Sequence, residues 1–137
     1  MYISFDILMK IPKIAYSKNA CLYYRHRKES ITGSKFSRRN LDEYYALTHI
    51  DESIKKTQYI SLWYKNNSRL LNYLMKTYIK LEESDFPDKT ELMVDYKRKI
   101  SELFKSQPLL RWGFKDIKRY IFFLISPKVF KLLVKNI

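Results

Sequence analysis

Only two glycines, Gly33 and Gly113, and four prolines punctuate this 137-residue chain. Tight hairpin turns need residues that tolerate positive φ, so a chain this poor in them cannot make a many-stranded sandwich or barrel. Long helices joined by short connections are the economical alternative. With 46% hydrophobic residues, including 12 Tyr, 8 Phe and 2 Trp, the chain has enough apolar surface to offset the entropy of ordering. Its length fits one modest domain.

The periodicity agrees. Leu41, Tyr44, Leu47, Ile50 and Ile54 recur at steps of three and four, which predicts a helix over 38–57. Ile60, Trp63, Leu70, Leu74, Tyr78 and Leu81 predict a second over 59–82, with Asn66-Asn67-Ser68 as a place where it bends or splits. Leu92, Tyr96, Ile100, Leu103 and Phe104 predict a third over 88–106, opened by a capping box of Asp88 with Glu91. Residues 2–10 read as a short helix stopped by Pro12. In the C-terminal third, Phe114, Ile117, Ile121 and Leu124 share one stripe, while Lys115, Lys118 and Arg119 lie largely off it. Ser126-Pro127 marks a further helix start. Between Lys13 and Tyr24, branched and aromatic residues around Ser17–Asn19 suggest one or two short strands. The expected fold is mainly α, a bundle of four to six helices with a short β-like N-terminal segment. A lone strand pair leaves backbone groups unpaired, so its edge invites a second copy and a homodimer.

Charge comes next. The chain has 27 Lys+Arg against 14 Asp+Glu, a net +13, which calls for an anionic counterpart: a phosphorylated small molecule, an anionic membrane surface or nucleic acid. Against nucleic acid, the basic residues spread over several helices and form no recognisable reader motif. One cysteine, Cys21, excludes a disulfide framework and a thiolate-rich metal site, and reads as a small buried hydrophobe. His26 and His49 are too far apart for a zinc helix. His49 is expected at the surface or in packing, and Trp63 in the core. No stretch approaches the roughly 20 apolar residues of a membrane-spanning helix, and the N-terminus lacks the cationic start and small-residue cleavage site of a signal peptide.

Two clusters carry the candidate chemistry. The first, Arg25 to Arg39, gathers Arg25, Arg27, Lys28, Lys35, Arg38 and Arg39 with His26, opposed by Glu29 alone. Two guanidinium forks one residue apart, beside a loop with Ser30, Thr32 and Ser34, suit the oxygens of a diphosphate; a solvated basic loop is the plainer reading. The second cluster is the C-terminal set Lys115, Lys118, Arg119, Lys128, Lys131 and Lys135 beside the aromatics Trp112, Phe114, Phe122, Phe123 and Phe130. Lysines flanking apolar faces fit a helix lying in an anionic membrane interface; for the aromatics the favoured reading is that they pack onto the helices over 59–82 and 88–106 and complete the core, with the lysines in water.

The run Tyr23, Tyr24, Arg25, Arg27, then Ser30, Ile31, Thr32, then Lys35, Phe36, Ser37 resembles the stretch that follows the catalytic domain in bacterial family 2 glycosyltransferases of the capsular, exopolysaccharide or lipopolysaccharide type. In that family a Tyr-rich strand ends in Tyr-Arg-x-Arg, a Ser-Ile-Thr loop follows, and a Lys-Phe-Ser lead enters a long helix. The trailing "FLISPKVFKLL" is similar to the Ser-Pro helices that close such proteins. The resemblance implies a division at residue 37: 1–37 as the end of a catalytic domain, 38–137 as a C-terminal helical domain. It places Arg25, His26, Arg27 and Ser30 beside the nucleotide-sugar diphosphate and a glycan or lipid-linked acceptor. It also implies a cytoplasmic location, peripheral at the inner face of the membrane. Glu29 departs from the small residue the family often has there. The larger departure is that neither Asp-x-Asp nor Glu-Asp occurs in the sequence; Asp85 and Asp88 are spaced too widely. The divalent metal and the base such a transferase needs are therefore expected in a separate catalytic domain, with no cofactor in this chain and no sugar transfer by it alone.

Overall fold

A computed structural model describes the backbone of residues 2–13 and 36–135, and the side chains of 5–13, 36, 37 and 40–132. The strand-like segment expected between Lys13 and Tyr24, Cys21, and the strand edge on which the dimer expectation rests lie outside these residues. Among the described residues six helices follow in order: α1 (Tyr2–Lys10), α2 (Arg38–Lys55), α3 (Ile60–Glu82), α4 (Lys89–Lys105), α5 (Phe114–Ile125) and α6 (Pro127–Lys135), with a 3₁₀ turn at Leu109–Arg111 before α5. The protein is a mainly α bundle, and no strand occurs among the described residues.

The core is organised around α3. Leu70, Leu71, Leu74, Met75, Tyr78, Ile79 and Leu81 are all buried, an arc too wide for one neighbour to cover. Helix α2 packs on one side of it and α4 on another, while α5 and α6 also lie against it. From α2 come Leu47, Ile50 and Ile54, and from α4 Tyr96 and Ile100, each on the stripe its periodicity predicts. Asn66-Asn67-Ser68 does not split α3, which runs unbroken through them. The amides have partners: Asn67 Nδ2 donates to Gln107 Oε1 at 3.0 Å, and Asn66 Nδ2 points to the Leu47 carbonyl at 3.5 Å. Buried polar groups satisfied in this way leave the helix intact.

Each junction has its own chemistry. The Ser37 N–H donates to Asn40 Oδ1 at 2.9 Å, tying the start of α2, and Phe36 is buried edge-on against Phe86. Helix α4 does not open with the expected capping box. Asp88 sits at φ 61°, the left-handed region, where its side chain makes no capping bond. Instead the Lys89 ammonium reaches back and donates to the carbonyls of Glu82 and Ser84, closing the last turn of α3. Pro127 does stand at the first position of α6, where its missing N–H costs nothing.

Candidate functional site

Of the basic segment, the diphosphate candidates Arg25, His26, Arg27 and Ser30 lie outside the described residues. The structure does describe where that segment enters the bundle. Buried Phe36 and capped Ser37 deliver it to the N-terminal end of α2, whose first turn holds Arg38, Arg39 and no acidic residue.

No group of three or more His, Cys, Asp or Glu side chains capable of holding a metal occurs among the described residues. Exposed His49 lies 3.5 Å from Asp6 of α1, and the two together bridge α1 to α2. Half-buried Trp63 keeps its indole N–H covered without a protein acceptor. Asp95 is held between two cations. Partial burial works against its charge, but hydrogen bonds and charges from Lys99 (2.7 Å) and Arg98 (2.6 Å) outweigh that and hold its carboxyl below the usual range. A carboxylate so neutralised makes a poor general base. Burial pushes the neighbouring Tyr96 hydroxyl well up, with the Tyr73 and Tyr44 hydroxyls adding to it.

The described residues do assemble a distinctive surface at α5, and its rotation differs from expectation. The arc turned inward is Asp116, Tyr120 and Phe123, with Trp112 just before it. Of the aromatics expected in the core, Trp112, Phe123 and Phe130 are buried and Phe122 is half-buried, but Phe114 is 81% exposed; Ile121 and Leu124 of its stripe are exposed with it, and Ile117 is half-buried. At 3.6 residues per turn the inward arc spans about 60°, the outward apolar arc of Phe114, Ile121, Leu124 and Ile125 about 100°, and the basic arc of Lys115, Lys118 and Arg119 about 100°.

Aromatic stacking and a buried polar clamp fix this rotation. Phe104 of α4 stacks on both Trp112 (centroids 5.2 Å apart) and Tyr120 (3.8 Å), and the Trp112 indole N–H donates to the Phe104 carbonyl at 3.0 Å. Phe123 meets Tyr78 and Phe130 edge-to-face. Asn72 of α3 donates to Asp116 Oδ1 at 2.7 Å and accepts from the Arg119 guanidinium at 2.9 Å. Turning the apolar stripe inward would expel Asp116 from these partners and strip the rings of theirs.

Of the predicted cationic surface, Lys115, Lys118 and Lys128 are exposed. Arg119 is not part of it, because its guanidinium is drawn to Asn72. Lys131 pairs with Glu83 at the end of α3, and the Lys135 side chain is outside the described set. Sequence reasoning missed Leu110, which the 3₁₀ turn holds 98% exposed, and Ile125, 71% exposed. Position supplied a signal for Ile125, since it follows Phe114 and Ile121 on the same helical face.

Several open clefts mark the surface, two of them beside the helices discussed above. One, of about 340 Å³, lies between α1, α2 and α3, with Phe5, Leu8, Ile50 and Ile54 inside and Lys65 at its rim. The other, about 200 Å³, lies between α4 and the α5–α6 junction, lined by Ile100, Tyr120, Phe123, Leu124 and Pro127. Neither contains a carboxylate. No helix among the described residues is long and apolar enough to cross a membrane. Compared with protein-family models, characterised proteins and solved structures, the chain matches none.

Proposed function

We propose that this chain is the helical tail of a glycosyltransferase of the family 2 kind, contributing cations to a sugar-nucleotide site whose catalytic carboxylates lie in an α/β domain outside these 137 residues. The observation that carries the reading is the junction at Phe36 and Ser37. The sequence motif ends in a Lys-Phe-Ser lead, and here Phe36 is anchored in the core while Ser37 begins an 18-residue helix. A rigid anchor at that point lets the preceding loop present Arg25, Arg27 and Ser30 to a diphosphate without the helical body rearranging. The donor would be a nucleotide-sugar and the acceptor a glycan or a lipid-linked glycan. Among the described residues no carboxylate set fits a divalent metal, so no catalytic step is assigned to this chain.

The test is reconstitution. The coding sequence on the 5′ side of this locus is read for an Asp-x-Asp-bearing domain, which is produced with the 137-residue chain and assayed for sugar transfer from labelled nucleotide-sugars. Transfer should require both parts and fall at least tenfold with Arg25→Ala/Arg27→Ala. Transfer by this chain alone, or transfer indifferent to both arginines, overturns the reading.

A further inference from the structure

The geometry points to an interfacial docking surface for anionic lipid bilayers, formed by the outward arc of α5 with Leu110 at its N-terminal approach. This inference stands on the C-terminal helices alone and does not depend on the transferase reading. Three observations converge on it.

The first is amount and continuity. Leu110, Phe114, Ile121, Leu124 and Ile125 are exposed along one run of chain, and Val129 and Leu132 continue the exposure into α6. Single exposed apolar residues are ordinary on a protein surface, whereas a contiguous set along one helix face marks a site of contact.

The second is rigidity. The aromatic stack of Trp112, Phe104 and Tyr120 and the Asn72 clamp on Asp116 and Arg119 hold α5 with this arc outward, so the bundle cannot cover it by rotating the helix.

The third, charge, selects the occupant. Lys115, Lys118 and Lys128 are exposed beside the apolar arc, and the Lys118 ammonium stands 5.8 Å from the Phe122 ring. The only acid between residues 109 and 135 is Asp116, which is buried and bonded to Asn72. The segment therefore offers an apolar wedge with cations at its margin and no exposed carboxylate of its own; exposed Glu83, at the end of α3, pairs with Lys131 of α6. A lipid bilayer supplies the complement of both parts, acyl chains for the wedge and phosphates for the lysines. A second copy of the chain meeting this face symmetrically would set like lysines against like. A nucleic acid would satisfy the lysines and leave Phe114 and Ile125 in water. Since no described helix can span a membrane, α5 would lie in the plane of the interface.

Flotation of the full chain with vesicles tests this. Vesicles of phosphatidylcholine alone are compared with vesicles of phosphatidylcholine and phosphatidylglycerol, across a salt series. The wild type should float with the anionic vesicles at least tenfold more than with the neutral ones, and added salt should weaken binding only in part because the apolar contribution is unscreened. Phe114→Ser/Ile125→Ser should lower partitioning at least tenfold with an unchanged circular-dichroism melt. Leu110→Ser, in the turn rather than a helix, should lower it without bearing on helix stability, and Lys115→Gln/Lys118→Gln should remove the preference for anionic lipid. Failure of the wild type to float overturns the inference. So does binding undiminished by all of these variants, or a dimer in light scattering that the Phe114/Ile125 variant abolishes while vesicle binding is absent. Salt-steep binding to DNA without vesicle binding assigns the lysines to nucleic acid and overturns it equally.

Discussion

Two phenylalanines on one helix should respond to the same substitution in opposite ways. Phe123 is 4% exposed and edge-on to both Tyr78 (5.1 Å, 83°) and Phe130 (5.8 Å, 89°). Phe114, nine residues earlier on α5, is 81% exposed. Truncating a fully buried Phe to Ala costs about 3–5 kcal/mol through lost transfer energy and the cavity left behind. Two lost ring–ring contacts put Phe123→Ala at about 4 kcal/mol, near the middle of that range. For a chain of this size, with total stability of order 10 kcal/mol, that is roughly 40% of the whole. It corresponds to a fall in Tm of about 12–16 °C. Phe114→Ala removes surface that water already reaches and gains slightly in helix propensity, so its effect stays within about 0.5 kcal/mol of zero. Urea titration followed by far-UV circular dichroism, with the slope checked for constancy, measures both. Equal costs for the two variants, or a Phe123→Ala cost below about 1 kcal/mol, would refute the rotation of α5 described above and the docking surface with it.

The Asn72 clamp makes a second prediction. Asn72→Ala leaves the buried Asp116 carboxylate without its donor and should cost about 2–3 kcal/mol, while a cycle with Asp116→Ala should show coupling of about 1–2 kcal/mol. Strict additivity would mean the pair is incidental. A third concerns Asp95, whose carboxyl is held below its ordinary range by Lys99 and Arg98 against the opposing effect of burial. A depressed folded-state value stabilises the protein above the ordinary carboxylate range, and the gain is lost as pH falls through the native value. Asp95→Asn should therefore cost about 0.5–1 kcal/mol at neutral pH, discounted for solvent screening, and nothing in strong acid. Urea melts over pH that show a constant gap between the two proteins would contradict the ion-pair account.

Periodicity alone located α2, α3 and α4 to within a residue or two at most ends: a helix expected over 38–57 is found at Arg38–Lys55, one over 59–82 at Ile60–Glu82, and one over 88–106 at Lys89–Lys105. Those helices have one dominant apolar stripe each, so stripe and buried face coincide over most of their length, with Ile60 exposed and Trp63 half-buried at the start of α3. What failed depended on partners distant in sequence. Asn66 and Asn67 read as a break because their amides seem costly in a helix, yet Gln107 lies 40 residues from Asn67 and satisfies it. The basic loop at residues 25–30 was legible as a cation cluster by composition, but its geometry lies outside the described residues.

Helix α5 is the instructive case, because its sequence holds two apolar arcs, Trp112–Tyr120–Phe123 and Phe114–Ile121–Leu124, and one carboxylate. Local rules place the arc with the acid outside, since an unpaired buried charge is expensive. The structure does the reverse, and the deciding residue is Asn72, 44 residues away, which receives Asp116 into the interior. Once Asp116 is committed inward, the aliphatic arc has no remaining face but the outer one. The helix is thus inverted relative to an ordinary surface helix, with its acid inside and much of its aliphatic surface outside. Core formation gains Trp112, Tyr120 and Phe123 from that arrangement but leaves the larger apolar arc in water. A contact with an apolar phase gains from it, because the same clamp that buries Asp116 also withdraws the only carboxylate of α5 and α6 from the lysine-flanked surface that phase would meet.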